Sequence, residues 1–239
     1  MPATVVLLHG FAGTGRAWDP VIERLERERY NALAPDLRGH GTARDARPVT
    51  FDAVAADVLA AAPPRFTLCG YSMGGRVAQH VALAAPERIE RLVLVATTAG
   101  IDDDAERAAR RADDERLAAF AEQATIDAFA DRWAAQPLFA GTPPAAARIW
   151  REDLLRNDPR ALAAVLRGLG TGAMAPLWDR LAELTMPTTV LAGADDPKFV
   201  ALGARLAAVL PAAQLTVVPG AGHGLPREAP AAVAAALAP

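Results

Sequence analysis

A single cysteine, Cys69, excludes an internal disulfide and a cysteine-based zinc site. It stands in a short apolar run and reads as a small core residue. Basic charge is not in excess either. The formal net charge is −3, which argues against a general nucleic-acid or anionic-membrane binder, since both need a basic surface. No segment approaches the ~18 unbroken apolar residues of a transmembrane helix. The first residues, Met1-Pro-Ala-Thr-Val-Val-Leu-Leu-His9, lack the basic start and small-residue cleavage site of a signal peptide, so cytoplasmic residence is the expectation. What is present is a core. Hydrophobic residues make up 52% of 239 residues, which argues against disorder and fits one domain with an insertion.

Short apolar runs alternate with helical patterns through the first hundred residues. Val5 to Leu8, Asn31 to Pro35, Phe66 to Cys69 and Arg91 to Thr97 read as strands. Trp18 to Arg29, Phe51 to Ala62 and Arg76 to Ala85 read as the helices between them. That order predicts a mostly parallel sheet of about six strands, covered by helices on both faces. After Thr97 the alternation stops. Helical patterns alone run over roughly Asp103–Glu122, Ile126–Gln136, Ala145–Leu155, Arg160–Leu169 and Leu177–Leu184, separated by prolines. Strand and helix then resume with Thr188–Ala192, Lys198–Leu210, Gln214–Val218 and Glu228–Leu237. The expected organisation is a core of residues 1–99 and 185–239 with a helical lid, 100–184, inserted between core strands.

The chemistry centres on Gly70-Tyr-Ser-Met-Gly74, a G-x-S-x-G pattern between a predicted strand and a predicted helix. Glycines two before and two after Ser72 permit a sharp turn that lifts the serine to a helix N-terminus, where the dipole favours negative charge. A plain strand-to-helix connection could also hold Ser and Gly, so the remaining residues must decide. A serine hydroxyl needs a histidine to take its proton, and that imidazole needs an orienting carboxylate. Of the four histidines, His223 lies in the glycine-rich loop after the last predicted strand, on the edge where Ser72 is expected. His9 belongs to the loop after the first strand; His40 and His80 are weaker candidates. For the carboxylate, the loop after Thr188–Ala192 offers Asp195 and Asp196, while Asp102, Asp103 and Asp104 follow the preceding strand. Backbone N–H groups of Met73 and Phe11 are the expected donors to developing negative charge. The loop His9-Gly-Phe-Ala-Gly13 lacks a P-loop lysine and the dinucleotide-binding spacing, so no cofactor is expected, and no metal.

These blocks resemble the α/β-hydrolase fold, in particular His9-Gly-Phe11 with Pro35-Asp-Leu-Arg-Gly-His-Gly41, and Gly70-Tyr-Ser-Met-Gly-Gly75 with Gly222-His223. Within that fold the chain is similar to the 2-succinyl-6-hydroxy-2,4-cyclohexadiene-1-carboxylate synthases of menaquinone biosynthesis. The similar stretches include Arg76 directly after the elbow, the Arg-rich segment Glu106–Asp114, Trp133 ahead of Gln136-Pro-Leu-Phe-Ala140, Leu155-Arg-Asn157, and Gly193-Ala-Asp-Asp-Pro-Lys-Phe199. The resemblance implies Asp196 as the acid partner of His223. It further implies Tyr71, Arg76, Arg111, Trp133 and Arg156 as substrate-binding positions, with Arg107 and Arg110 beside Arg111 in the same helix. The implied reaction is a lyase step: the serine, activated by its histidine, removes a proton from a small substrate carrying several carboxylates, and pyruvate is eliminated. Arginines suit such a substrate because their planar donors grip carboxylates. Where many relatives carry a second histidine shortly after the first, Gly224-Leu-Pro-Arg-Glu228 stands here.

A carboxylic-ester hydrolase acting on a small or carrier-bound ester would use the same Ser72, Asp196 and His223. A non-catalytic binding protein is the third reading, against which the complete Ser, Asp, His order weighs. A monomer or small homo-oligomer is expected.

Overall fold

The structure, a computed structural model, describes residues 2–26 and 29–238. Among them, six parallel strands form one sheet: β1 (Ala3–Leu8), β2 (Tyr30–Leu33), β3 (Phe66–Tyr71), β4 (Ile89–Val95), β5 (Thr188–Gly193) and β6 (Ala213–Val218), in the order β2-β1-β3-β4-β5-β6. Successive side chains of a strand point to opposite faces. Val6, Leu8, Leu68, Leu92 and Leu94 therefore enter one apolar cluster, and Val5, Leu7, Cys69, Val93 and Val95 the other. All ten are fully buried, as expected of a parallel sheet covered on both sides. Helices α2 (Phe51–Ala61), α3 (Met73–Ala84) and α8 (Pro197–Val209) cover the first face. The short α1 (Asp19–Ile22) and α9 (Leu225–Glu228), together with α10 (Pro230–Leu237), cover the second.

Strand order reverses at β1: β2 is added on one side of it and β3 on the other, with β1 and β3 paired in register Leu8↔Gly70. The loops leaving β1 and β3 thus open the crevice where ligands of such sheets bind.

Between β4 and β5 lie only helices: α4 (Asp104–Ala121), α5 (Ile126–Ala134), α6 (Pro144–Leu154), α7 (Pro159–Leu169) and short 3-10 turns. Their starts are capped as the sequence requires. Asp103, Thr125 and Asp158 each accept a backbone N–H of the first turn. Their shared core contains Phe129, Ala130, Leu154, Leu162 and Ala163, and Phe11 and Ala12 of the loop after β1 join it. No helix among the described residues is long and apolar enough to cross a membrane.

Three sequence expectations change. The helix expected over Trp18–Arg29 is a 3-10 turn, Gly15–Trp18, followed by the four residues of α1; Arg27 and Glu28 lie outside the described residues. Thr14 caps this turn, and Pro20 at the start of α1 has no N–H to continue the ladder back into it. Glu228–Leu237 divides into α9 and α10 at Pro230 for the same reason. Leu177–Leu184 is a 3-10 turn over Trp178–Glu183.

Candidate active site

Ser72 sits between β3 and α3 with φ 52° and ψ −111°, a backbone state that side-chain-bearing residues rarely adopt. Its surroundings hold it there. Its N–H donates to Val95 O at 2.9 Å, and its carbonyl accepts the Thr97 hydroxyl at 2.7 Å. The turn closes because Gly70 and Gly74 have no Cβ. One added at Gly74 would stand 2.1 Å from Leu8 O, and one at Gly70 2.2 Å from Gly74 O. Helix α3 can therefore start directly against the end of β1.

His223 and Asp196 meet the serine from two further loops. Ser72 Oγ donates to His223 Nε2 at 3.2 Å, and His223 Nδ1 donates to Asp196 Oδ2 at 2.9 Å. Both partners are buried. Asp196 also caps α8, its Oδ1 accepting Phe199 N–H at 3.3 Å. Asp195 is exposed. Asp102, Asp103 and Asp104 are engaged elsewhere: Asp102 pairs with Arg205, Asp103 caps α4, and Asp104 pairs with Arg107. The His223 loop lies close on the end of β5, where a Cβ on Gly193 would stand 2.2 Å from the carbonyls of Ala221 and Gly222. Glu228 ties the loop from the other side, accepting Gly222 N–H at 2.5 Å and Gly224 N–H at 3.0 Å.

His9 and His40 are structural. Burial pushes the pKa of both below the ordinary imidazole range, His40 furthest, with neighbouring His9 lowering it further. As neutral rings they accept backbone N–H groups: His9 Nε2 from Leu37 at 2.9 Å, His40 Nε2 from Ala12 at 3.2 Å. The loop carrying Phe11 is thus fixed from beneath. Phe11 N–H donates to no group among the described residues. Met73 N–H, in the first turn of α3, has no intrahelical acceptor.

A cavity of about 440 Å³ opens beside Ser72. Tyr71, Arg76 and Trp133 line it. Arg76 is 7% exposed and donates to Leu169 O at 2.5 Å. Burial, with Arg110 adding, lowers its pKa to about 9. Burial also raises the Tyr71 pKa, so its phenol stays neutral. Trp133 Nε1 is buried with no acceptor among the described residues, and its ring meets Phe11 edge-on at 4.8 Å.

Arg111 and Arg156 do not reach this cavity; both are exposed and outside its lining, which corrects the expectation for them. Arg110 takes the wall position instead. In α4 the buried residues are Asp114, Ala118 and Ala121, and Arg110, four residues before Asp114, shares their face while Arg111 lies about 100° away. Arg156 follows the end of α6, where Asn157 rather than the arginine turns inward. Lys198 and Arg227 also line the cavity. Arg227 lies four residues beyond His223 in α9, and little in the sequence marked it.

Four cationic side chains thus line the cavity against one carboxylate, Asp196, already bonded to His223. Arg110 is paired with Asp114 and Arg227 with Asp153. Arg76 and Lys198 have no carboxylate at salt-bridge distance among the described residues.

A parallel sheet with a strained serine at its switch point, hydrogen-bonded to histidine and aspartate from later loops, defines a class of enzyme. The chain belongs to the alpha/beta hydrolase family, which it matches over residues 5–236. It is 35% identical over 238 residues to the putative 2-succinyl-6-hydroxy-2,4-cyclohexadiene-1-carboxylate synthase of Bacillus subtilis (strain 168), covering 95% of this chain and 85% of that protein. It is also 32% identical to the pimeloyl-[acyl-carrier protein] methyl ester esterase of Nitrosomonas europaea (92% of this chain, 88% of that one). Among solved structures, MenH from S. aureus superposes with a TM-score of 0.88 at 31% identity, covering 98% of this chain and 91% of that one.

Proposed function

We propose that the protein is a 2-succinyl-6-hydroxy-2,4-cyclohexadiene-1-carboxylate synthase, a lyase that eliminates pyruvate from a succinyl-enolpyruvyl-cyclohexene carboxylate. The observation that carries this reading is Arg76, a buried guanidinium on the cavity wall, on the helix that Ser72 begins, with Asp114 nearby but no carboxylate at salt-bridge distance among the described residues. A buried cation without a directly paired carboxylate is costly, and an anionic substrate would supply the missing partner. Lys198 offers a further donor along the same cavity.

In this mechanism Ser72 Oγ takes the substrate proton as His223 Nε2 accepts the hydroxyl proton. Asp196 holds the ring in the tautomer that can do so and stabilises its charged form. The electron pair moves onto the neighbouring carbonyl oxygen, where the N–H groups of Met73 and Phe11 receive the negative charge. Its return breaks the bond to the enolpyruvyl oxygen; the enolate that leaves takes up the proton held by His223, which resets the base, and tautomerises to pyruvate.

Similarity to the Nitrosomonas europaea esterase favours a second reading, hydrolysis of a small or carrier-bound ester by the same three residues. Pyruvate release from the freshly generated precursor tests the first, with Ser72→Ala and a no-enzyme control alongside. Release well above the control that disappears in Ser72→Ala supports the lyase. Release no faster than the control overturns it, and turnover of nitrophenyl esters by wild type alone would then favour the esterase.

A further inference from the structure

Ala12, next to the Phe11 donor, has φ +60° without being glycine. Such a left-handed residue costs about 1–2 kcal/mol and persists only where its surroundings over-determine it. Two of the groups holding it come from the helical block between β4 and β5. Asn157 is 7% exposed; its Nδ2 donates to Ala12 O at 3.1 Å, and its Oδ1 accepts Gly41 N–H at 2.9 Å. Asp153, 4% exposed, takes Thr14 at both of its polar groups: N–H at 3.0 Å and hydroxyl at 2.5 Å. Its Oδ2 also accepts Arg227 Nη2 at 2.9 Å.

Asp153 gains nothing from its own helix. It lies in the last turn of α6, where the macrodipole disfavours a carboxylate. Its desolvation is offset by Arg227 and Thr14, both outside the inserted block. Arg227 is followed directly by Glu228, whose carboxylate ties the backbone on either side of His223. Hydrogen bonds therefore tie the His223 loop to Glu228, and Arg227, its neighbour in the chain, to Asp153 and through it to Thr14; Asn157 adds a separate bond to Ala12.

We infer that Asp153 and Asn157 are positioning residues for the Phe11 N–H: the inserted helices set one of the two donors to developing negative charge by clamping Ala12 and Thr14. The inference rests on the proposed role of Phe11 and Met73 as those donors. It holds for either the lyase or the esterase, because both place charge on the same oxygen.

The test is the rate at which a fluorophosphonate labels Ser72. The serine oxygen bonds to phosphorus, fluoride leaves, the hydroxyl proton passes to His223, and the phosphoryl oxygen takes the place between the two donors. Asn157→Asp keeps the acceptor for Gly41 and removes the amide donor shared by Ala12 O and Leu154 O. It is expected to slow labelling about tenfold or more, short of the ~10²–10³ that losing a whole donor costs, because the Phe11 N–H is displaced and not removed. Thr14→Val should slow it as well, while Thr14→Ser, which keeps the hydroxyl for Asp153, labels at the wild-type rate. Labelling of Asn157→Asp and Thr14→Val within twofold of wild type would overturn the inference. Should Asn157→Asp fail to fold, the Thr14 pair decides alone, and Thr14→Ser as slow as Thr14→Val counts against it. Wild type that labels readily yet releases no pyruvate would remove the lyase reading and leave this comparison intact.

Discussion

Asp196 serves His223 and the helix after it with different oxygens: Oδ2 accepts the imidazole N–H at 2.9 Å, and Oδ1 caps α8. Asp196→Asn would keep much of the cap while offering the wrong group to Nδ1. We expect it to lower kcat by about 10³–10⁴ with little loss of folding. Ser72→Ala and His223→Ala should fall at least as far, and the three losses should not add. Exposed Asp195→Asn should remain within twofold of wild type. Pyruvate release, or ester turnover if that is the activity, reads all four variants. Equal losses at Asp195 and Asp196 would contradict the pairing.

Arg76 should govern substrate affinity. Arg76→Gln is expected to raise KM by about 10–100-fold, the 1.5–3 kcal/mol of a charge-assisted hydrogen bond. Arg111→Ala and Arg156→Ala should leave KM unchanged, being exposed and outside the cavity.

The strain at Ser72 predicts a trade of activity for stability. With φ 52° and ψ −111°, Ser72→Gly should be inactive yet more stable than Ser72→Ala. The expected gap is roughly 1 kcal/mol, or about 2–4 °C in Tm for a chain of this size. Equal melting temperatures would mean that the elbow stores no strain.

His9 and His40 make the fold sensitive to acid. Both have folded pKa values below the ordinary imidazole range, so between that range and their folded values the unfolded chain binds more protons. Stability is then fully present above about pH 6.5 and falls as pH drops below it. Each ring that stays neutral in the fold costs about 1.4 kcal/mol per pH step of one below that point. Thermal melts from pH 7.5 to 5 should show a falling Tm, with a shallower slope in His40→Gln. A flat profile would show that neither ring is held neutral by the fold.

Short-range sequence signals carried much of this protein. Short apolar runs located the six strands, and the 3.6-residue period of apolar positions located the helical stretch between β4 and β5. The glycines at 70 and 74 marked the turn before the chain had any shape, because close backbone approach excludes a Cβ wherever it occurs. Tertiary structure decided what depends on helical phase and distant contacts. Arg110 rather than Arg111 faces the cavity because Asp114, Ala118 and Ala121 fix which side of α4 is buried. Choosing Asp196 over its neighbour on the residues alone was impossible, since adjacent loop residues differ only in where the backbone aims them. Arg227, Asp153 and Thr14 stand more than seventy residues apart at their nearest pairing across the inserted helices. No local pattern records that pairing, because burying each of the three polar groups is unfavourable until the other two satisfy it.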